Sequence, residues 1–239
     1  ASRLALRIAD SDALRLTGYH VHLGSQLGDP APYARAFDRV EEFLDADPRH
    51  RQDARYFDLG GGFGIAYGAG GGLCDVGAIA AAVAPRIRAR GLMPVLEPGR
   101  YLVGDAGVLL TRVLGTKPGA RKRFLLVDAA MNDLLRPALY AARHPIVPLR
   151  SPDRPAAAHF DVVGPVCETG DFLGRDVALP ALDDGELLAI LAAGAYGSSM
   201  ASNYNSRCRP AEVLVDGTRA RLVRRRETYE DLFAEELLP

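Results

Sequence analysis

The chain has 239 residues, 48% of them hydrophobic, with 29 basic side chains against 30 acidic ones and a formal net charge of −1. That balance leaves no electrostatic footprint for nucleic acid or an anionic membrane, and no apolar run approaches a membrane-spanning length. The opening "ASRLALRIADSD" lacks the apolar core of a signal peptide, and three cysteines without metal-ligand spacing fit reduced thiols, so a cytoplasmic protein is expected.

In chain order, the first half alternates strand-like and helix-like segments. "LRLTGYHVHLG" reads as a strand ending in a loop, and residues 33–45 as an amphipathic helix. "ARYFDLGGG" is a short strand, residues 76–90 an Ala-rich helix, and "LMPVLEPGR" a further strand. Short apolar strands alternating with helices imply βα units on a parallel sheet. Function in such sheets collects at the C-terminal strand ends, here His20 and His22, Asp58 to Gly62, and Glu97 to Arg100.

The character changes near Gly104. "AGVLLTRVLGTK", "KRFLLVDA", "HFDVVGPV", "ELLAILAAG" and "AEVLVDGTRARLVRR" are β-type runs, the last with a tight hairpin at Asp216-Gly217. Helices are expected over 130–143 and in the final "ETYEDLFAEE". The expected fold is α/β plus all-β: βα units on a parallel sheet over 1–104, either an open sheet or part of something larger, then a mostly antiparallel β-barrel or sandwich over 105–239. The final helix is a candidate to pack back on the first unit. Three βα units are too few to close a barrel by themselves.

The triplet in "DLGGGFGIAY" asks for a sharp turn or a close approach to a ligand, and a Gly-rich turn can cradle an anion with its N–H groups. No Gly-Lys-Ser/Thr follows, and Gly60, Gly62 and Ile65 break the dinucleotide spacing, so neither common nucleotide motif applies. A plain flexible loop is the alternative, supported by the second run at Gly70–Gly72. His20 and His22 alternate on one strand and face the same way. His50, His144 and His159 offer no supporting spacing, so no metal site is expected.

Four further stretches carry chemistry in principle. "LEPGRYL" sets Glu97 and Arg100 around a Pro-Gly turn, as a local ion pair or as ligands for a ring nitrogen and an anion. "GPVCETGD" puts Cys167 beside Glu168, "DAAMNDLLRPALYAA" places Arg136 and Tyr140 four apart on a helical face, and Tyr196 opens a polar Gly-rich loop. Singly, each is more often structural than catalytic.

Together and in order, "HVHLGSQ", "DLGGGFGI", "EPGRYLV", "VDAAMNDLLRPALY", "VVGPVCETGDFLGRD", "AYGSSMASNYNSR" and "RRRETYEDLF" resemble the bacterial diaminopimelate decarboxylases. These pyridoxal-phosphate (PLP) enzymes share the fold-type III architecture with ornithine decarboxylase and alanine racemase. The resemblance runs from about Leu16 to the C-terminal helix and implies the second half of a TIM-like (β/α)8 barrel before the β domain.

It further implies that Gly60, Gly61 and Gly62 hold the PLP phosphate, with Ser25, the Gly99–Arg100 turn and Tyr196. His22 stacks on the pyridine ring, Glu97 keeps the ring nitrogen protonated, and Cys167 reprotonates the carbanion left after CO2 departs. Glu168 takes the substrate's distal ammonium, while Arg100, Arg136, Tyr140 and Tyr196 serve the rest of the amino-acid substrate. A homodimer with shared active sites is implied too. The family's Schiff-base lysine lies on a first barrel strand that this sequence does not contain; Lys occurs here only at Lys117 and Lys122, in no active-site motif. The expected reaction is decarboxylation of meso-diaminopimelate to L-lysine. Alternatives are a sister enzyme for ornithine, arginine or carboxynorspermidine, or a non-catalytic relative that lacks the lysine. Cys208 takes no role.

Overall fold

A computed structural model describes residues 1–51, 53–68 and 74–237, so the glycine run at 70–72 lies outside the described residues. The chain divides into two compact units, Ala1–Leu102 and Val103–Pro239.

The first unit opens with α1 (Ser2–Ala9) and then alternates β1 (Gly18–His20), α2 (Ala31–Ala46), β2 (Tyr56–Asp58), α3 (Val76–Ala89) and β3 (Met93–Val95). The strands are parallel in the order β1-β2-β3, with His20 level with Asp58 and Asp58 level with Val95. All three chains therefore leave the sheet at one rim. Helical period explains what covers the sheet: Tyr33, Phe37 and Leu44 of α2, and Ile79, Val83 and Ile87 of α3, are buried together with Phe57 of β2. Burying each such side chain contributes roughly 1.5–3 kcal/mol. Asp75 fixes the start of α3 by accepting a hydrogen bond from the Ala78 N–H at 2.8 Å. The Pro-Gly turn expected after β3 is the start of a short helix, α4 (Gly99–Val103).

The second unit is built on β4 (Leu109–Pro118), β5 (Arg123–Val127), β6 (Ile146–Pro148), β7 (Ala158–Val163), β8 (Phe172–Leu179) and β9 (Leu187–Ile190). They form one sheet in the order β6-β9-β4-β5-β7-β8, antiparallel except for β5 against β7. The two edges meet, because a Cβ added to Gly174 of β8 would lie 2.9 Å from Ile146 Cδ1 of β6. This nearly closed mixed sheet wraps Val113, Leu125, Val127, Phe160, Val162, Leu173, Leu188 and Ile190 into one core. β10 (Glu212–Asp216) and β11 (Arg219–Arg224) form a separate hairpin whose two-residue turn starts at Gly217 with φ +56°, the positive value that tight hairpin turns ask of their first central residue.

Two helices are shorter than their sequences imply. In place of a helix over 130–143, only α5 (Arg136–Tyr140) forms. The Asp133 carboxylate accepts from the Ala130 N–H at 2.9 Å, and such side-chain bonds draw the backbone out of a helix. Pro137 sits in the first turn of α5, and Ala141, at φ +51°, ends it. Near the C-terminus, a Thr228–Asp231 capping box starts α6, which spans Tyr229–Leu232.

Candidate functional site

In the first unit, the rim of β1, β2 and β3 gathers most of the residues singled out from sequence. The glycine triplet is its keystone. Gly60 N–H donates to Asp58 Oδ1 at 2.8 Å, and Gly61 N–H donates to His22 Nδ1 at 3.3 Å. The Gly60 carbonyl accepts from Glu97 N–H at 2.9 Å and the Gly62 carbonyl from Leu27 N–H at 2.8 Å. A Cβ on Gly61 would stand 2.3 Å from the Glu97 carbonyl oxygen, and one on Gly62 would stand 2.1 Å from that of Gly24. Gly60 and Gly62 also have φ of +69° and +87°. The bare backbone is thus required by three loops converging at the rim. Of the triplet, Gly60 and Gly61 have their N–H groups engaged inside the fold.

The bond from Gly61 makes His22 Nδ1 an acceptor and places the ring's proton on Nε2. Arg100 donates from Nη2 to Ser25 Oγ at 2.8 Å and from Nη1 to Tyr67 OH at 3.1 Å, joining the loops after all three strands. Gln26 clamps the same region: its side chain donates to the Ile65 carbonyl at 2.5 Å and accepts from the Ile65 N–H at 3.2 Å. Neither Tyr67 nor Gln26 stands out in the sequence, although "HLGSQ" carries the glutamine. His20 lies with Nε2 3.6 Å from Glu97 Oε2. Together with Asp58 they present ligand-type atoms all within 4.8 Å of one another, so this group could hold a metal ion. Spacing along the chain pairs His20 with His22 and shows no third ligand; the level strand ends instead bring Asp58 and Glu97 to His20, without His22. His50 and His144 are buried on backbone carbonyls, those of Phe43 at 2.7 Å and Leu191 at 3.0 Å, and are structural.

In the second unit, α5 carries Arg136 and Tyr140, and two loops carry, in turn, Cys167 with Glu168, and Tyr196. Asp171, buried, accepts from Met131 N–H and from Val166 N–H, each at 2.7 Å. One carboxylate therefore ties the loop before Arg136 to the loop holding Cys167 and Glu168. Arg136 is buried, and its guanidinium carbon lies 5.6 Å from the centre of the Tyr196 ring. Tyr196 has φ +61°, a conformation that a bulky residue keeps only when its surroundings impose it. Tyr140 and Cys167 are exposed. Arg207 fixes the same face by donating to Asn132 Oδ1 at 2.9 Å and to the Asp128 carbonyl at 2.7 Å. Burial pushes the Asp133 carboxyl above its ordinary range. Glu168 receives the Gly170 N–H at 3.1 Å on Oε1 and the Tyr204 hydroxyl at 3.3 Å on Oε2.

The rim of the first unit thus sets a Gly-rich turn, a carboxylate, an imidazole and an Arg–Ser pair side by side, groups whose chemistry suits an anion and a flat ring. Over residues 12–194 the chain matches the family described as pyridoxal-dependent decarboxylase, C-terminal sheet domain, and it belongs to that family. It is 51% identical to diaminopimelate decarboxylase of Neisseria meningitidis serogroup B, over 96% of this chain and 55% of that protein. To the Pseudomonas aeruginosa diaminopimelate decarboxylase it is 47% identical, covering 100% of this chain and 57% of the relative. The crystal structure of the Helicobacter pylori diaminopimelate decarboxylase complexed with L-lysine superposes with a TM-score of 0.89 at 39% identity, covering 98% of this chain and 58% of that one. The chain spans just over half the length of the curated relatives it matches.

Proposed function

We propose that this chain is the cofactor- and substrate-binding portion of a PLP-dependent diaminopimelate decarboxylase, which releases CO2 from the D-centre of meso-diaminopimelate to give L-lysine. The parallel unit is then the second half of a TIM-like barrel, with a domain boundary near 104, in a cytoplasmic enzyme. The observation that carries the reading is the buried Arg136, which opens α5 directly after a loop that Asp171 ties to the one holding Cys167 and Glu168.

The residues of the first unit fit PLP. At Gly62 the backbone leaves no room for a side chain, and the triplet's remaining N–H, with Ser25 and Arg100, makes a donor set for a phosphate. Tyr196 and Gly99 join this set by resemblance. His22 offers a flat face in a fixed tautomer, and Glu97 a carboxylate that keeps a pyridine nitrogen protonated. PLP, when bound, supplies the electron sink for the pair left on Cα. Cys167 supplies the proton to that carbon. The reading uses Glu97 for the ring and assigns no metal to its cluster with His20 and Asp58. The active unit is a two-fold homodimer in which the Cys167 loop serves the partner's cofactor.

Diaminopimelate differs from lysine and ornithine in its second amino-acid centre. Glu168 takes the distal ammonium, and Arg100, Arg136 and Tyr140 the distal carboxylate, which an Arg fork pairs bidentately. Removing one member of such a pair costs about 2–5 kcal/mol, roughly 30- to 4,000-fold in binding. In a full-length enzyme carrying this segment, Arg136→Met should lower kcat/KM for diaminopimelate by that order. Slow turnover of lysine or ornithine, which lack the distal carboxylate, should stay nearly unchanged. Equal loss on both substrate types would make Arg136 a support for fold or cofactor and remove the case for diaminopimelate.

A further inference from the structure

The segment "SNYNSR", Ser202 to Arg207, is held in a conformation that its residues do not choose by themselves. Asn205 and Ser206 are consecutive non-glycine residues in the left-handed region, at φ +61° and +55°. Such backbone persists only where neighbours over-determine it, and it collects at functional sites. The neighbours are identifiable. Asn203 Nδ2 donates to the Arg207 carbonyl at 3.0 Å and to Glu227 Oε2 at 2.6 Å, and Arg207 is fastened to Asn132 and Asp128. The large side chain that this bracing turns outward is Tyr204. Its ring is half exposed, so it adds little to a core, and its hydroxyl donates to Glu168 Oε2.

We propose that Tyr204 is a specificity-determining positioning residue, whose hydroxyl orients the Glu168 carboxylate to receive an ammonium group at the far end of a diamino-dicarboxylic substrate. The inference rests on the proposed function and adds to it a residue that acts through Glu168. With Gly170 N–H on Oε1 and Tyr204 OH on Oε2, the carboxylate plane is fixed from both oxygens, and each oxygen keeps a lone pair with which to accept from an ammonium. The contact also shows in the tyrosine, since the Glu168 charge raises the Tyr204 hydroxyl above its ordinary value.

The test is a double-mutant cycle in the full-length holoenzyme, using meso-diaminopimelate and 2-aminopimelate, which keeps the distal carboxylate and lacks the distal ammonium. Tyr204→Phe should lower kcat/KM for diaminopimelate about tenfold, through KM, and leave 2-aminopimelate within about twofold. In a Glu168→Gln background the same change should do nothing further. Equal losses on both substrates, or losses that add in the double variant, would make Tyr204 a prop for its loop and overturn the proposal. If Glu168→Gln leaves the preference for diaminopimelate intact, the role of Glu168 falls and that of Tyr204 with it. If the wild type does not act on diaminopimelate, the proposed function itself fails first. Should Tyr204→Phe not fold, the 13Cζ resonance of Tyr204 decides. Glu168→Gln should lower its titration midpoint, and an unmoved midpoint would overturn the pairing.

Discussion

Glu227 lies far along the chain from the loops it steadies. It accepts from Arg209 N–H at 2.7 Å, from Arg209 Nε at 2.6 Å and from Asn203 Nδ2 at 2.6 Å. The Arg209 guanidinium, more than any other group, holds its carboxyl down at about 2, against an ordinary 4.5. A carboxyl depressed in the folded state stabilises the fold above its ordinary value, and that contribution is lost as pH falls from 4.5 through about 2. Asp133 works in the opposite sense: burial raises it, so its ionisation above the ordinary 3.8 costs stability. A variant isolates the first effect. Glu227→Gln should cost about 1–3 kcal/mol at pH 7, read from urea midpoints, with the gap to wild type closing as pH drops through the window. A gap independent of pH would separate Glu227's role from its charge. Residues of this kind are also the ones a sequence hides. His22, Glu97, Arg136, Cys167 and Tyr196 announce themselves because their chemistry sits in unusual motifs. Asp171 and Tyr204 are ordinary residues made significant by partners 40 and 36 positions away.

Elements were legible where one period ran long enough. The apolar spacing of Tyr33, Phe37 and Leu44, and of Ile79, Val83 and Ile87, marks α2 and α3 without ambiguity. β6 is three residues closed by Pro148, and β8 shifts register against β7 on either side of Gly174, so neither offers a clear alternation. The expected helix over 130–143 failed because Asp133 caps its own turn, a through-space event that propensity does not register. The glycine triplet shows the converse: its presence was plain, its reason was not. A phosphate cradle needs free N–H groups, yet Gly60 gives its own to Asp58 and Gly61 to His22, while the Gly60 carbonyl takes the Glu97 N–H from the third strand end. Gly62→Ala should therefore damage the fold before it damages binding. Its Cβ would meet the Gly24 carbonyl oxygen at 2.1 Å with φ at +87°, a loss of more than about 1 kcal/mol in thermal unfolding. Gly99→Ala, with no atom within 4 Å of the added Cβ, should stay within about 0.5 kcal/mol. Equal effects at the two glycines would show that crowding at the rim does not set the triplet.

At the scale of the whole molecule, the distribution of lysine decides what the chain can do by itself. Residues 1–102, which carry His22, Ser25, Glu97 and Arg100, contain no lysine. Lys117 lies on β4, exposed, and Lys122 donates to Asp161 Oδ2 at 2.6 Å on the sheet unit. The proposed reaction needs a lysine to carry the cofactor, and by resemblance that residue belongs to a barrel strand outside this sequence. The same resemblance gives the Cys167 loop to the partner subunit's site. Lysine and cysteine then serve each site from different copies, and isologous pairing makes the two sites equivalent. The consequence is arithmetic. In a full-length enzyme carrying this segment, Cys167→Ala should be inactive under the proposed function, and so should a variant of the cofactor-carrying lysine. Mixed in equal amounts with free exchange, half of the dimers are hybrids, and each hybrid has one site with both groups intact. Activity should return to about a quarter of the wild-type level. Native mass spectrometry would establish that hybrids form, and an assay of CO2 release would read the recovery. Hybrids without activity would place Cys167 and the lysine in the site of a single chain.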